Sequence, residues 1–263
     1  MIRKLTEADD RSVQALVRQK PAENLFIIGD IEAFGYQQSF QEVWGDFDDH
    51  DQLRAVLLRY EDNYIPFSLT PFDAEGFADI INQSKKKSVL SGLESVTNQV
   101  IPYLHHKSEN PRRLYYAKCA TDCQLPPIDL NDVKQLQVDD LDKWATFIKS
   151  VPEFEDSKES INTKTKQRDL EQGVGRGYFI EMDDRVVSTA STVAENSHSA
   201  MVVAVATDHR YMGQGLATKC LTKLIQDLIN EDKELCLFYD NPSAGDIYKK
   251  LGFEDIERWT LYR

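Results

Sequence analysis

Cysteine is scarce. Four stand in 263 residues, and Cys119, Cys123, Cys220 and Cys236 show no zinc-ligand spacing, so no metal site is expected. Cys220 and Cys236 fall in apolar segments that read as core. Reduced thiols in a cytoplasm are the expected state. Long apolar runs are also missing. None approaches the length of a membrane span, and no signal peptide is visible at the start, so no membrane partner is expected. A basic surplus is missing too. Net charge is −13, and both halves are acidic: residues 1–128 hold 19 acids against 14 Lys and Arg, the rest 25 against 17. Nucleic-acid binding wants a basic face, so nucleic acid is excluded as a partner. An acidic surface can attract cationic amines, but it also simply keeps proteins soluble. What is present suits a folded chain: apolar residues make up 41% and aromatics 10%, enough for one large domain or two modest ones.

The most informative stretch runs from Val202 to Leu221. An apolar strand ends in a polar turn, and Gly213-x-Gly215 then opens a helix. Leu216, Cys220, Leu221, Leu224, Ile225, Leu228 and Ile229 form one apolar face, with polar residues between them. A second apolar strand follows at 235–239, so strand, helix and strand predict a parallel pair with a right-handed crossover. Glycines let backbone N–H groups approach a ligand, and a helix N-terminus favours an anion, so the turn suits a phosphate. Two other phosphate motifs do not fit. A Walker loop needs Gly-Lys-Ser/Thr where Gly215-Leu216-Ala217 stands. A dinucleotide fingerprint needs a third Gly where Thr218 stands. A lone Gly-x-Gly is better explained as a plain strand-to-helix turn.

The residues downstream narrow this. After the second strand come Asn241-Pro-Ser-Ala244 and then Tyr248-Lys-Lys-Leu-Gly252-Phe253. Together with Arg210-x-x-Gly213-x-Gly215-x-Ala217, this closely resembles the GNAT superfamily of acyl-CoA-dependent N-acyltransferases, over roughly the second half of the chain. One departure stands out: Met212 occupies a position that is usually Arg or Lys in that family.

The first half echoes the second. Ile2, Leu5, Asp9, Val13, Leu16 and Pro21 parallel Val133, Leu136, Asp140, Trp144, Phe147 and Pro152 at a constant offset of 131. Each set reads as a short strand, an Asp-rich helix start and an amphipathic helix that stops at proline, which favours internal duplication. The polar, proline-bearing segment 121–131 reads as a linker. The expected architecture is α/β: tandem GNAT-like domains, each a mixed, mostly antiparallel sheet flanked by helices, with a splayed parallel strand pair in the second. The domains expected are 1–128, without a cofactor site, and 129–263, catalytic. The first half should carry helices at 22–34, 74–83 and 96–104, and strands at 41–47, 53–60, 64–68, 88–93 and 114–117. Where its phosphate loop would lie, it has no paired glycines and carries Asp73 and Glu75. The second half should carry helices at 139–149 and 160–172, a hairpin of 177–183 with 186–193, and strands at 201–206 and 258–263.

The resemblance also implies roles. The backbone of Val203, Ala204 and Val205 would pair with the pantetheine arm of acetyl-CoA or another acyl-CoA. The loop of Arg210, Tyr211, Met212, Gly213, Gln214, Gly215, Leu216 and Ala217 would hold the pyrophosphate, with Arg210 reaching a phosphate or bonding loop carbonyls. Strands splaying after Val205 and Tyr239 would make room for the thioester. Asn241 would bond the cofactor, although Asn-Pro at a helix start is also a very good N-cap. Tyr248 would be the general acid for the departing thiolate, its alternative being a half-buried packing aromatic. Glu181, Glu195, His198 and Asp240 are candidate bases that read more readily as surface groups. Glu153, Glu155 and Asp156, in segment 151–160, could hold a cationic amine or form a solvated acidic loop. The function implied is N-acetyl transfer to a primary amine of a small or amino-acid-like acceptor, by a monomer or homodimer. Two alternatives remain open: a non-catalytic acyl-CoA-binding regulator or scaffold, and a peptide or protein N-acyltransferase.

Overall fold

The same opening is built twice. Strand β1 (Ile2–Lys4), a single 3-10 turn (Glu7–Asp9) and helix α1 (Asp10–Val17) begin the chain. Strand β7 (Val133–Gln135), a 3-10 turn (Val138–Asp140) and helix α5 (Leu141–Ser150) repeat them, each start displaced by the same 131 residues. Both turns carry a capping box. Asp9 accepts from the Thr6 N–H at 2.9 Å, and Asp140 accepts from the Gln137 N–H at 3.0 Å. The matched Asp residues are therefore the acceptors that start each helix.

This computed structural model describes residues 1–84, 87–106, 110–123, 125–154 and 162–263. The chain divides into two compact units. The first contains Met1–Tyr116, Phe238–Asp240 and Asp255–Arg263; the second contains Ala117–Leu237 and Asn241–Glu254. No described helix is long and apolar enough to cross a membrane.

In the first unit, β1, β2 (Gln41–Phe47), β3 (Leu53–Tyr60) and β4 (Asn63–Ser68) pair antiparallel in sequence order. Helix α3 (Ala74–Asn82) then carries the chain to β5 (Val89–Leu93), which lies parallel to β4. The last strand, β12 (Glu254–Tyr262), pairs antiparallel with β5, from Trp259 opposite Leu93 to Tyr262 opposite Leu90. Helices α2 (Leu25–Phe34) and α4 (Glu94–Val100) complete the unit, with strand β6 (Arg112–Cys119) passing from the first unit to the second. Trp44, Leu57, Tyr64, Phe77, Ile81, Leu90 and Val100 form its core under α3. The helix expected at 96–104 starts earlier and ends at Val100, where Pro102 tightens the chain into a 3-10 turn.

In the second unit, β7, β8 (Gly177–Met182), β9 (Arg185–Val193) and β10 (Ser199–Thr207) form an antiparallel meander. Asp183 and Asp184, both at positive φ, make the tight turn of the β8–β9 hairpin. Helix α6 (Thr163–Glu171) covers part of the span expected at 160–172; residues 160 and 161 lie outside the described residues. Helix α7 (Leu216–Ile229) crosses to β11 (Glu234–Tyr239), which pairs parallel with β10. Helix α8 (Pro242–Lys250) follows. The apolar face of α7 is buried as its periodicity requires, Cys220, Leu221, Leu224, Ile225 and Leu228 all being fully enclosed. Leu136, Leu141, Trp144, Phe147, Ile148, Phe179 and Val186 pack together beneath α5.

The splayed pair is present but opens sooner than expected. Parallel register is confined to Ser199 opposite Glu234 through Met201 opposite Cys236, rather than holding to Val205 and Tyr239. The cause is local. Ala204 lies at φ +53°, and the β9 register slips between Val203 and Ala206, so an extra residue bulges from β10 and turns the strand.

Candidate active site

The bulge and the loop that follows it form one continuous surface. Val203, Ala204 and Val205 are half-buried, beyond the last residue of β10 that pairs with β11. After β10, the Asp208 carboxylate caps a 3-10 turn (His209–Tyr211), accepting from the Arg210 N–H at 3.0 Å. The Tyr211 N–H closes that turn onto the Asp208 carbonyl at 2.8 Å. Met212, Gly213, Gln214 and Gly215 are exposed. Gly213 and Gly215 lie at φ +78° and +75°, and no atom stands within 4 Å of the place a Cβ would take in either. Gly215 is the N-cap of α7, its carbonyl accepting from the Lys219 N–H at 3.0 Å. Leu216 is buried and anchors the helix, while Ala217 is half-buried. Among the described residues, no chain group accepts a hydrogen bond from the backbone N–H groups of residues 212–218. A run of free donors at the positive end of a helix, with open space over two glycines, fits a pyrophosphate.

Arg210 is engaged by a side chain of its own loop. Its guanidinium closes on Asp208 in a two-point pair, Nε to Oδ1 at 3.1 Å and Nη2 to Oδ2 at 2.7 Å. These bonds hold the Asp208 carboxyl down at about 2. The charges of Asp208 and Arg210 therefore cancel locally, and Met212 adds none. Asp208 was missed by sequence reasoning. Its signal was an Asp two residues before a motif Arg, in a position to cap.

On α8, Asn241 is the N-cap, its Oδ1 accepting from the Ser243 N–H at 3.0 Å, with Pro242 opening the helix. Tyr248 lies near the other end. Burial pushes its phenol above the ordinary value, and its ring meets Phe253 edge-on at 5.9 Å. The Tyr248 carbonyl accepts from Leu251 at 3.0 Å and from Phe253 at 3.1 Å, so the turn after α8 is hung on this residue.

The candidate bases separate clearly. Glu181 is clamped by Lys134 at 2.6 Å and Lys143 at 2.7 Å, which hold its carboxyl at about 2. Asp240 belongs to the first unit, is exposed, and pairs with Arg112 at 3.6 Å. Glu195 is not a surface group. It is buried and bonded by Arg176 at 3.0 and 2.8 Å and by the Thr192 hydroxyl, and its own N–H donates to the Val174 carbonyl just before β8. His198 is half-buried, and its Nε2 has no hydrogen-bond partner. Among the acidic trio, Glu153 lines a cavity of about 810 Å³ beside the loop, together with Asp208, Arg210 and Met212. Glu155 and Asp156 lie outside the described residues.

A second cavity, about 380 Å³, lies over the bulge. It is lined by Trp144 and Ile148 of α5, by Phe154, by Thr165, Lys166 and Asp169 of α6, and by Val203 and Ala204. Lys166 was not anticipated. It is 5% exposed, and its ammonium donates to the Arg176 carbonyl at 3.0 Å and the Thr192 carbonyl at 2.9 Å. Burial lowers it to about 8.

A family model for GNAT acetyltransferase matches residues 86–262. The chain belongs to the GNAT acetyltransferase family. Its general activity is acyl-CoA-dependent acetyl transfer. No curated protein matches the chain. Among solved structures, a Drosophila protein is similar at TM-score 0.67 and 11% identity, covering 99% of this chain and 97% of its own. A GCN5-related N-acetyltransferase from Sphaerobacter thermophilus is similar at TM-score 0.60 and 12% identity, covering 100% and 94%. A tandem GNAT protein from the clavulanic acid biosynthesis pathway is similar at TM-score 0.58 and 10% identity, covering 100% and 97%. At such identities the likeness is one of fold, and it extends through the N-terminal half.

The geometry of Lys166 sets a pH dependence. The folded chain holds this ammonium at about 8, below its ordinary 10.5. Between those values the unfolded chain binds the extra proton, so stability rises with pH across that window. Lys166→Met should flatten that rise in urea titrations from pH 7 to 10. It should also cost ~2 kcal/mol at pH 7, because two buried carbonyls lose their donor.

Proposed function

We propose that the second unit transfers an acetyl group from acetyl-CoA to the primary amine of a small or amino-acid-like acceptor, by direct attack of the amine on the thioester. The observation that carries this reading is the run of unpartnered amides at residues 212–218 over left-handed Gly213 and Gly215. Acetyl-CoA, when bound, supplies the acetyl group in activated form. The chain supplies the rest. The loop amides hold the diphosphate. The backbone of Val203, Ala204 and Val205, on the stretch of β10 past its parallel partner, offers a strand edge to the pantetheine amides. Tyr248, whose phenol is protonated near neutral pH and pushed further up by burial, holds a proton at its phenolic oxygen for the departing sulfur. Glu181 is doubly clamped, Glu195 is tied to Arg176 and Asp240 is exposed and paired, so these three are poor bases; in this reading the amine loses its proton to water.

The cavity of about 380 Å³ over the Ala204 bulge supports a small acceptor, since that volume suits a compact molecule better than a folded substrate. The first unit supports a single cofactor site. Its matching crossover runs from β4 through α3 to β5, but Asp73 caps α3 by accepting the Gly76 N–H at 2.9 Å. The chain's own carboxylate thus occupies the end of the helix where a phosphate would have to bind.

Acetyl-CoA should raise the melting temperature of the native chain, as any ligand specific to the folded state does. Gly213→Glu should abolish the shift, by placing a carboxylate over the free amides; an unchanged shift would move the site elsewhere. Tyr248→Phe should lower turnover by about 10²-fold with little change in acetyl-CoA affinity. Near-normal turnover with chemistry rate-limiting would remove Tyr248 from the mechanism. Calorimetric titration of the full chain should give one acetyl-CoA per chain, and a value of two would place a second site in the first unit.

A further inference from the structure

Cys119 and Cys123 meet at the end of β6, outside the acetyl-transfer site. The Cys123 N–H donates to the Ala120 carbonyl at 3.2 Å, closing a tight turn that brings the second thiol back over the first. The two sulfurs stand 2.6 Å apart, with Cys119 fully buried and Cys123 half-buried. A disulfide sulfur pair sits ~2.0 Å apart, so a bond between them requires little backbone movement. The pair also has a defined neighbour. The Cys119 thiol points to the Leu251 carbonyl at 3.7 Å. Gly252, at φ +89°, has Cys123 Cβ only 2.8 Å from the place its own Cβ would take. The dithiol is therefore packed against the turn whose peptides hang on the Tyr248 carbonyl. Cys220 and Cys236, by contrast, are both completely enclosed.

We propose that Cys119 and Cys123 form a redox-active dithiol, oxidised by hydrogen peroxide to an intramolecular disulfide that pins the Leu251–Gly252 turn. The half-buried Cys123 reacts first. Its thiolate sulfur attacks one peroxide oxygen, the O–O bond breaks, and a sulfenic acid forms as hydroxide leaves and takes up a proton to become water. The Cys119 sulfur then attacks the sulfenic sulfur; its proton and the sulfenic hydroxyl leave as a second water, and the S–S bond forms. Overall, two thiols lose two electrons and two protons, and one peroxide becomes two waters. Burial raises the Cys119 thiol above its ordinary value, so the more exposed Cys123 is the sulfur that meets peroxide first. Gly252 is the one residue type that fits beside this pair, since any Cβ there would collide with Cys123. The proposal stands apart from the acetyl-transfer reading and does not depend on it.

The test uses the intact native chain treated with hydrogen peroxide, quenched by alkylation and mapped by peptide mass spectrometry. The expected result is a linked pair of peptides containing Cys119 and Cys123, a loss of two hydrogens from the intact mass, and full reversal by dithiothreitol. Amide exchange at residues 251–253 should slow in the oxidised form. Cys123→Ser, at the less buried position, should abolish the link and leave Cys119 alkylatable after unfolding. Three outcomes would overturn the proposal: both thiols alkylatable after peroxide, Cys123 carried to sulfinic acid while Cys119 stays free, or linkage of either to Cys220, Cys236 or another chain. Unchanged exchange at 251–253 in a verified disulfide form would overturn the coupling to that turn.

Discussion

Backbone amides that the chain leaves without acceptors are costly when buried and useful when open, and the second unit is arranged around one such run. Residues 212–218 can keep free N–H groups because Gly213 and Gly215 take left-handed φ values in open space. Everything nearby serves to aim that run. The buried face of α7 fixes the helix, Leu216 anchors its first turn, and the Asp208 cap sets where the loop leaves β10. A side chain at either glycine would strain the backbone, and one at Gly213 would also cover the amides.

The side-chain charges of Asp208 and Arg210 cancel within this loop. Arg210 is held by Asp208, and Met212 brings no charge. A chain of net charge −13 is a poor electrostatic partner for a polyanion overall, so the α7 helix end is the local feature that favours an anion. The first unit shows the opposite solution on the same crossover. Asp73 satisfies the start of α3 from within the chain, and the helix end is closed. One carboxylate at an N-cap, set against one glycine, separates the two units in this respect.

The bulge at Ala204 has a comparable reach. It ends the parallel pairing of β10 with β11 after Met201 and leaves the following backbone free at the floor of the cavity between α5 and α6. Lys166 braces that region by bonding the carbonyls of Arg176 and Thr192, so a buried cation supports the strands from behind. Glu195 ties Arg176 down.

Much of this was legible from residue order. The amphipathic period of α7, the Gly-x-Gly turn, the Asn-Pro start of α8 and the repeated opening are local patterns, and local hydrogen bonding and periodic burial suffice to produce them. The offset of 131 was readable because capping depends on residues three apart, and that spacing survives in both halves. The bulge at Ala204 was not legible, since a register slip depends on what β9 presents opposite. The pairing of Arg210 with Asp208 was equally hidden, because a motif marks a residue's place and not its partner. Glu195 read as a surface charge, yet Arg176 and the Thr192 hydroxyl hold it buried, and the buried Lys166 gave no sign of itself in the sequence. The pairing of β12 with β5, and the packing of the Cys119–Cys123 turn against Gly252, depend on contacts between distant segments. Sequence by itself determined the elements and their caps, because those rest on neighbours along the chain; the tertiary structure alone decided register, burial and partner choice, because those rest on neighbours in space.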